Sequence, residues 1–349
     1  MATKFSSKIG LIAATVGSAV GLGNVWRFPA ETQTNGGAAF LLIYILCVLL
    51  LGIPVMLGEF AIGREGGTDA VGDYKRISPR TGWWLIGAMG LLASYMILCF
   101  YIVVAGWTLE YFISSLTGSL YSGAGEGTAS FAAKMQDYAA YFPRETKLKR
   151  TATIVSLLDM LVAVLMGLII FPAVTSFGMQ NESLEGATLV FVTLPEVFTR
   201  MPGTQLWSSL FFILLLVAAL TSTISIAEVS VRFCQDRMHL RRRSAVLLVM
   251  LPVLLFGSLS SLSMGSLSSV HIFGLTFFDF LDTFATNILL PLGSMAMCIY
   301  AGWFAPKGMI ALQLDNGSPV RSLSTRVVLF IIKWIAPVAI AVILVAQFN

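Results

Sequence analysis

The chain has 349 residues, of which 57% are hydrophobic and 11% are charged, and its formal net charge is +4. A soluble domain carries about 25% charged residues, so this composition excludes an ordinary soluble protein and indicates an integral membrane protein. The basic residues collect between apolar runs, which relates them to membrane topology and gives no indication of a nucleic-acid partner. The four cysteines have no C-x-x-C or Cys/His spacing, so we expect neither a metal-thiolate site nor a disulfide framework.

Apolar runs long enough to cross a bilayer recur along the chain and predict about eight membrane-spanning helices. Glycine, asparagine and proline interrupt the first run between Gly17 and Gly37, and backbone of this kind survives at membrane depth only when it is buried in protein or lines a polar cavity. Such a broken helix is typical of a transporter's binding site; the alternative is a helix that ends at Ala19 and continues as a loop. The predicted spans are residues 9–36 (broken), 38–63, 83–116, 151–175, 206–231, 244–263, 272–303 and 324–347.

Basic segments predict the orientation of these spans. Lys4 and Lys8 precede the first span, and arginine-rich segments follow the second and the fifth. The positive-inside rule places these segments in the cytoplasm. We therefore expect a multi-pass protein of the plasma (inner) membrane with a cytoplasmic N-terminus.

The segment between the third and fourth spans does not fit this count. The third span ends outside near Leu116, whereas the basic residues 144–150 should be cytoplasmic, and no apolar run between them is long enough to cross. An odd number of crossings is therefore missing between about residues 117 and 143, which indicates an internal deletion. The alternative is a short re-entrant segment at 129–142, against which Lys134 and Asp137 argue.

Two long motifs resemble the opening helices of the neurotransmitter:sodium symporter family, namely GSAVGLGNVWRFPAETQTNGGAAF (17–40) and GIPVMLGEFAIGR (52–64). The resemblance continues through GWTLEYF (106–112) and LLLVAALTSTISIAEV (214–229). It implies an all-α polytopic membrane protein with an inverted-repeat, leucine-transporter-like fold. In that pattern residues 1–116 hold helices one to three, residues 151–349 hold helices seven to eleven, and a linker at 117–150 replaces helices four to six. Three missing helices is an odd number, as the charge count requires.

The resemblance also implies two sodium sites. Sodium is a hard cation that prefers oxygen ligands, as calcium and magnesium do. The first site lies between the broken helix and helix eight, with backbone oxygens of Gly17, Val20 and Ala218 and the hydroxyls of Thr221 and Ser222. The second site takes the backbone of Ala19, the amide of Asn24 and the carboxylate of Asp159.

Each sodium site has an alternative interpretation. The hydroxyls of Thr221 and Ser222 could bond to carbonyls of their own helix. Asp159 could be protonated or have a structural partner, although an acid within a span is a functional candidate by default. Ala163 stands where many chloride-dependent members have a serine, so we expect no chloride dependence.

The substrate pocket that the resemblance implies centres on Gly21. Members that carry monoamines have an aspartate at this position, whereas glycine leaves room for a ligand that brings its own carboxylate. The hydroxyl of Tyr101 would donate to that carboxylate. The implied substrate-binding residues are Ala19, Gly21, Gly23, Tyr101, Ser222 and Ile226.

Two gates follow from the same resemblance. Arg27 and Asp282 match the outer gate. Asp236 matches the acidic half of the inner gate, where Phe5 stands in the place of an aromatic plug, usually tryptophan. The usual N-terminal arginine partner of Asp236 is missing, because Ala2 occupies its position.

We therefore expect a sodium-coupled symporter of amino acids that works by alternating access. The alternative is an internally deleted, transport-inactive remnant of such a symporter. No nucleophile–base pair, metal motif or cofactor loop indicates an enzyme or an organic cofactor. The expected partners are sodium, an amino acid and the lipid bilayer, with a homodimer possible.

Overall fold

A computed structural model describes residues 21, 23–118, 148–176, 190–191, 194–199, 201–267, 269–318 and 322–347. The regular elements of these residues are helices, apart from one isolated antiparallel bridge between Ile272 and Leu275. A π-helical turn at Gly23–Arg27 leads into the first helix, α1. The helices are α1 (Phe28–Thr34), α2 (Ala38–Gly66), α3 (Ala70–Ile77), α4 (Trp84–Thr117), α5 (Leu148–Ser176), α6 (Leu194–Thr199), α7 (Thr204–Met238), α8 (Arg242–Ser263), α9 (Phe277–Phe304), α10 (Met309–Leu314) and α11 (Leu323–Ala346).

Six helices of the described residues are long and apolar enough to cross a membrane, namely α2, α4, α7, α8, α9 and α11. Helix α5 is a seventh long helix, with an apolar stretch at Ser156–Ile170. Only the second half of the predicted broken span is described, since residues 1–20 lie outside the described residues. The predicted start of the seventh span at residue 272 is too early: α9 begins at Phe277, because Thr276 caps the helix by accepting a hydrogen bond from the Asp279 amide.

Helices α4 and α7 pack along each other and form the centre of the structure. In the most apolar stretch of α4, half of the residues are buried, whereas only 11% are buried in the corresponding stretch of α2. Leu98, Val104 and Phe212 are completely or almost completely buried in the cluster that α4 and α7 share with α8 and the start of α9. A second cluster joins α2, α9 and α11 around Met297 and Ile332. The described part of the broken first span packs against α5.

Short polar contacts fix the end of the helices at which the basic residues collect. Asp69 is 3% exposed and caps α3, because its Oδ1 accepts hydrogen bonds from the amides of Val71 and Gly72. Its Oδ2 lies 3.1 Å from Arg237 Nε near the end of α7. One buried carboxylate therefore ends the loop after α2 and ties α3 to α7.

Lys149 anchors the beginning of α5 in the same way. Its Nζ lies 2.8 Å from Asp315 Oδ1 in the α10–α11 loop, and Thr325 Oγ1 donates to the same oxygen at 2.8 Å. Burial of Asp315 opposes ionisation, but hydrogen bonds from Lys149, Thr325 and Ser322 lower the pKa of this carboxyl to about 2. This contact holds the first turn of α5 against the α10–α11 loop.

We predict that Lys149→Met lowers the free energy of unfolding in detergent at pH 7 by about 1–2 kcal/mol, since it leaves a buried carboxylate without its cation. The pKa of Asp315 lies below its ordinary 3.8, so the contribution is complete above about pH 4 and is lost as the pH falls towards 2. Thermal melts from pH 7 to pH 2 measure the difference. Lys307→Met, at an exposed lysine of the same end, is the control and should leave the stability unchanged. Equal melting temperatures for the two variants would contradict a stabilising role of the Lys149–Asp315 contact.

Candidate functional site

The site begins at the interruption of the first span. Asn24 N donates to the carbonyl of Gly21 at 3.2 Å, and the chain then forms the π-helical turn Gly23–Arg27 before α1. Pro29 occupies one of the first positions of α1, where its missing amide proton costs no helical hydrogen bond. The local sequence thus produces irregular backbone next to α4, α5 and α7.

Asn24 joins this backbone to the middle of α5. Its Nδ2 donates to Asp159 Oδ1 at 2.7 Å and lies 3.3 Å from the Asp159 carbonyl oxygen. The structure therefore brings together the two side chains of the second predicted sodium site; Ala19, its backbone ligand, lies outside the described residues. The amide oxygen of Asn24 and the carboxylate of Asp159 are ligand types that a hard cation prefers.

Three elements converge at Gly21. A Cβ at this position would lie 2.7 Å from Tyr101 Oη of α4 and 2.8 Å from Ser222 Oγ of α7. Ser222 is completely buried, and Ile226 lies one turn further along α7, partly buried against the main core. The predicted pocket residues Gly21, Tyr101 and Ser222 thus meet, and only a glycine fits between the two hydroxyls without displacing them.

Gly23 does not join this cluster. It is exposed, and a Cβ there would meet no atom within 4 Å.

The first predicted sodium site is described only on its α7 side. Thr221 is exposed, and its hydroxyl donates to the carbonyls of Val217 at 3.0 Å and Ala218 at 3.1 Å. This bonding to its own helix is the alternative interpretation of that side chain. Gly17 and Val20, the backbone ligands predicted from the first span, lie outside the described residues.

The outer pair, Arg27 and Asp282, is in contact. Arg27 Nη1 lies 3.4 Å from Asp282 Oδ1, with the two side chains 40% and 29% exposed. Arg27 also donates to Thr286 Oγ1 at 3.2 Å and to Asn287 Oδ1 at 3.4 Å. Thr286 and Asn287 are not among the residues predicted from the sequence. Both are polar residues in a mostly apolar part of α9, and this pattern could have indicated them.

The inner pair is described only in part. Asp236 Oδ2 lies 3.1 Å from Arg232 Nε, one turn earlier on α7, and Phe5 lies outside the described residues. A second acid of α7, Glu228, has a partner in Arg242, whose Nη2 lies 2.7 Å from Glu228 Oε2. In the residues that the structure describes, no group of three or more His, Cys, Asp or Glu side chains could hold a metal ion.

Comparison with known proteins identifies the family. The model of the Sodium:neurotransmitter symporter family matches residues 2–129 and 127–349. The chain belongs to this family. It is 30% identical to the uncharacterized sodium-dependent transporter YhdH of Bacillus subtilis over 436 aligned positions, which cover 97% of this chain and 96% of that protein. It is 26% identical to an uncharacterized sodium-dependent transporter of Haemophilus influenzae, and the alignment covers 98% of this chain and 97% of that protein.

Two further similarities concern amino acids. The crystal structure of MhsT in complex with L-phenylalanine matches with a TM-score of 0.89 and 29% identity over 100% of both chains. The sodium-dependent neutral amino acid transporter B(0)AT2 of Rattus norvegicus is 42% identical over 111 residues, which are 32% of this chain and 15% of that protein.

These comparisons confirm the predicted fold and family. The fold is the all-α, inverted-repeat membrane fold of this transporter family, and the proteins that the chain resembles are transporters, which excludes an enzyme assignment. The family is sodium-dependent, and no organic cofactor is indicated.

The comparisons also bear on the length of the chain. The alignment with the Bacillus protein has 436 positions, although this chain has 349 residues and both proteins are covered almost from end to end. The relative therefore contains internal sequence that this chain lacks. The two segments of the family match meet at residues 127–129, within the stretch 117–143 where the charge count predicts missing crossings. The assignment of the absent part to helices four to six stays a prediction.

We predict that Gly21→Ala destabilises the protein by about 1–3 kcal/mol, because its Cβ overpacks the space between the Tyr101 and Ser222 hydroxyls. Thermal unfolding in detergent measures the loss. Gly23→Ala is the matched control, since its Cβ meets open space, and it should melt like the wild type. Adding Tyr101→Phe to Gly21→Ala should restore part of the loss; equal melts for both alanine variants would contradict this geometry.

Proposed function

We propose that this chain is a sodium-coupled symporter of amino acids that works by alternating access. The observation that carries the proposal is the convergence at Gly21, where hydroxyls from α4 and α7 meet the broken backbone of the first span. The Asn24–Asp159 contact begins three residues further along that backbone. The site therefore has donors for a carboxylate beside oxygens for a cation.

The sodium part of the proposal rests on the charge of Asp159. An acid at the centre of a span costs about 2.5–3.5 kcal/mol on insertion scales, and a bound cation offsets this cost. We assign one sodium to the Ala19 backbone, Asn24 and Asp159. The other is assigned to the backbone of Gly17, Val20 and Ala218 with the hydroxyls of Thr221 and Ser222.

The substrate part rests on the missing side chain at Gly21. A ligand carboxylate in that space accepts a hydrogen bond from Tyr101 and completes the sodium shell, and Ile226 lines the pocket for the ligand's side chain. The L-phenylalanine in the matched MhsT structure and the neutral amino acid specificity of the rat relative support a free amino acid as the substrate. The Arg27–Asp282 pair, with Thr286 and Asn287, closes the site from outside, and Asp236 belongs to the inner gate.

The direction of transport follows from the predicted topology. With the N-terminus in the cytoplasm of a plasma (inner) membrane, sodium entry is driven by about 2.3 kcal/mol per charge per 100 mV. This energy is available to concentrate the substrate inside the cell.

A second candidate is favoured by the length of the chain. If the sequence missing near 127–129 comprises helices four to six, half of the substrate pocket is absent. Such a chain inserts in the membrane and keeps the half-site on the first span, α4, α5 and α7, but it does not transport.

Uptake into proteoliposomes separates the two candidates. The protein as written is reconstituted, and labelled L-phenylalanine and L-leucine are supplied with an inward sodium gradient or with potassium alone. The symporter proposal predicts accumulation only with sodium, and the signal should collapse when an ionophore dissipates the gradient. No accumulation above empty liposomes, with correctly inserted protein, would overturn it and favour the inactive remnant.

We predict that Asp159→Asn raises the sodium concentration for half-maximal uptake at least tenfold, because it removes the only carboxylate assigned to the sodium sites. Asp279→Asn is the matched control, since Asp279 is exposed at the start of α9, and its sodium dependence should equal that of the wild type. Sodium titrations of initial uptake rates make the comparison. An unchanged titration for Asp159→Asn would remove Asp159 from the site.

A further inference from the structure

A cationic side chain sits among tryptophans on the lipid-facing side of α9 and α11, far along the chain from the transport site. Lys333 Nζ of α11 lies 4.3 Å from the ring centroid of Trp303 and 5.7 Å from that of Trp334. The two indoles meet edge to face, with centroids 4.6 Å apart. Trp303 Nε1 donates to the carbonyl of Lys333 at 3.3 Å, which fixes α11 against the end of α9. Each tryptophan is 51% exposed.

An apolar groove leads away from this cluster between the same two helices. It has a volume of about 640 Å³, and its walls are Met295 and Ile299 of α9 and Pro337, Val338, Ala341, Val342, Val345 and Ala346 of α11. Residues four apart share a helix face, so Trp303 lies beyond Met295 and Ile299, the two wall residues of α9, on the same face. From Pro337 to Ala346 the groove is about 14 Å long at 1.5 Å per residue, which is close to half of the hydrocarbon core of a bilayer, about 30 Å thick.

The cluster lies at the end of α9, at the basic end of the protein, and ten residues after the start of α11 at Leu323. Trp83 packs on Phe304 with centroids 4.7 Å apart, and Lys75 lies 4.9 Å from the ring of the neighbouring Trp84. Tryptophans concentrate at the membrane–water interface. These aromatic residues therefore continue as a belt from α9 and α11 to the start of α4, at the basic end of the protein.

Lys333 carries a charge that this belt does not neutralise. Among the described residues, no carboxylate forms an ion pair with it, and its ammonium lies against the two indole rings. An ammonium at this depth favours an anionic partner from the membrane itself. Lysines near a membrane surface attract anionic lipids.

We infer that Lys333, Trp303, Trp334 and the groove bind one anionic phospholipid of the leaflet at the basic end. The phosphate of the lipid pairs with Lys333, the glycerol region packs against the two exposed indoles, and one acyl chain occupies the groove along Ile299 and Val338. The charge selects the headgroup, and the length of the groove matches an acyl chain within a single leaflet. This site is separate from the sodium and amino-acid site.

Native mass spectrometry of the full chain in detergent tests the inference with phosphatidylglycerol and phosphatidylcholine of identical acyl chains. The wild type should retain one phosphatidylglycerol in preference to phosphatidylcholine. Lys333→Gln should weaken phosphatidylglycerol retention about fivefold, the size expected for one lysine at an anionic surface, and leave phosphatidylcholine unchanged. Lys333→Arg should keep the preference, and Lys307→Gln removes a charge at the same end as the control.

The groove has its own variant. Val338→Trp fills it from a position that is 63% exposed, so this change should remove retention of both lipids even if Lys333→Gln does not fold. Glycerol 3-phosphate, which has the headgroup charge without acyl chains, should not compete. Equal retention of the two lipids by the wild type would overturn the inference, as would equal losses of phosphatidylglycerol for Lys333→Gln and Lys307→Gln. A dimer that Val338→Trp abolishes would also overturn it, because the groove would then be the contact surface for a second copy of the chain.

Discussion

The contact between Asn24 and Asp159 is the constraint around which the rest of this structure is arranged. Placing a carboxylate in the middle of α5 costs free energy in a bilayer. Its partner, Asn24, lies in a segment that is not a regular α-helix. Asn24 Nδ2 reaches Asp159 Oδ1 at 2.7 Å because the chain turns through a π-helical segment beside it. The irregular backbone supplies a partner for this half-buried acid, and in the proposed function the two side chains provide oxygens for a cation.

Gly21 limits the space beside this proposed cation site. The hydroxyls of Tyr101 and Ser222 approach so closely that any side chain at this position would displace them. The two hydroxyls come from α4 and α7, the most extensively packed pair of described helices. Under the proposed function, the two hydroxyls beside this irregular backbone bind a small ligand that has a carboxylate.

The sequence predicted some of these features well and others not at all. The spans follow from apolar length alone, and the contact partners Asn24, Asp159, Gly21 and Tyr101 follow from motifs that resemble the family. The missing crossings near 117–143 follow from charge parity, and the alignments with longer relatives agree with that reading. Long-range contacts outside those motifs could not be predicted, since nothing in the chain indicates that Lys149 contacts Asp315 or that Lys333 lies against two tryptophans. The length of an apolar run also does not predict that Thr276 caps α9 so that the helix begins at Phe277. Nor does it predict that the Thr221 hydroxyl bonds to a carbonyl of its own helix.

The central claim is that the broken first span, with α4, α5 and α7, forms one site for sodium and a carboxylate ligand. Equilibrium binding of labelled L-phenylalanine to purified protein, in sodium and in potassium, tests it most directly because binding does not require the full transport cycle. The account predicts saturable binding in sodium that disappears in potassium, with competition by other amino acids and none by phenethylamine, which lacks the carboxylate. Binding that is independent of sodium, or displaced equally well by phenethylamine, would contradict it.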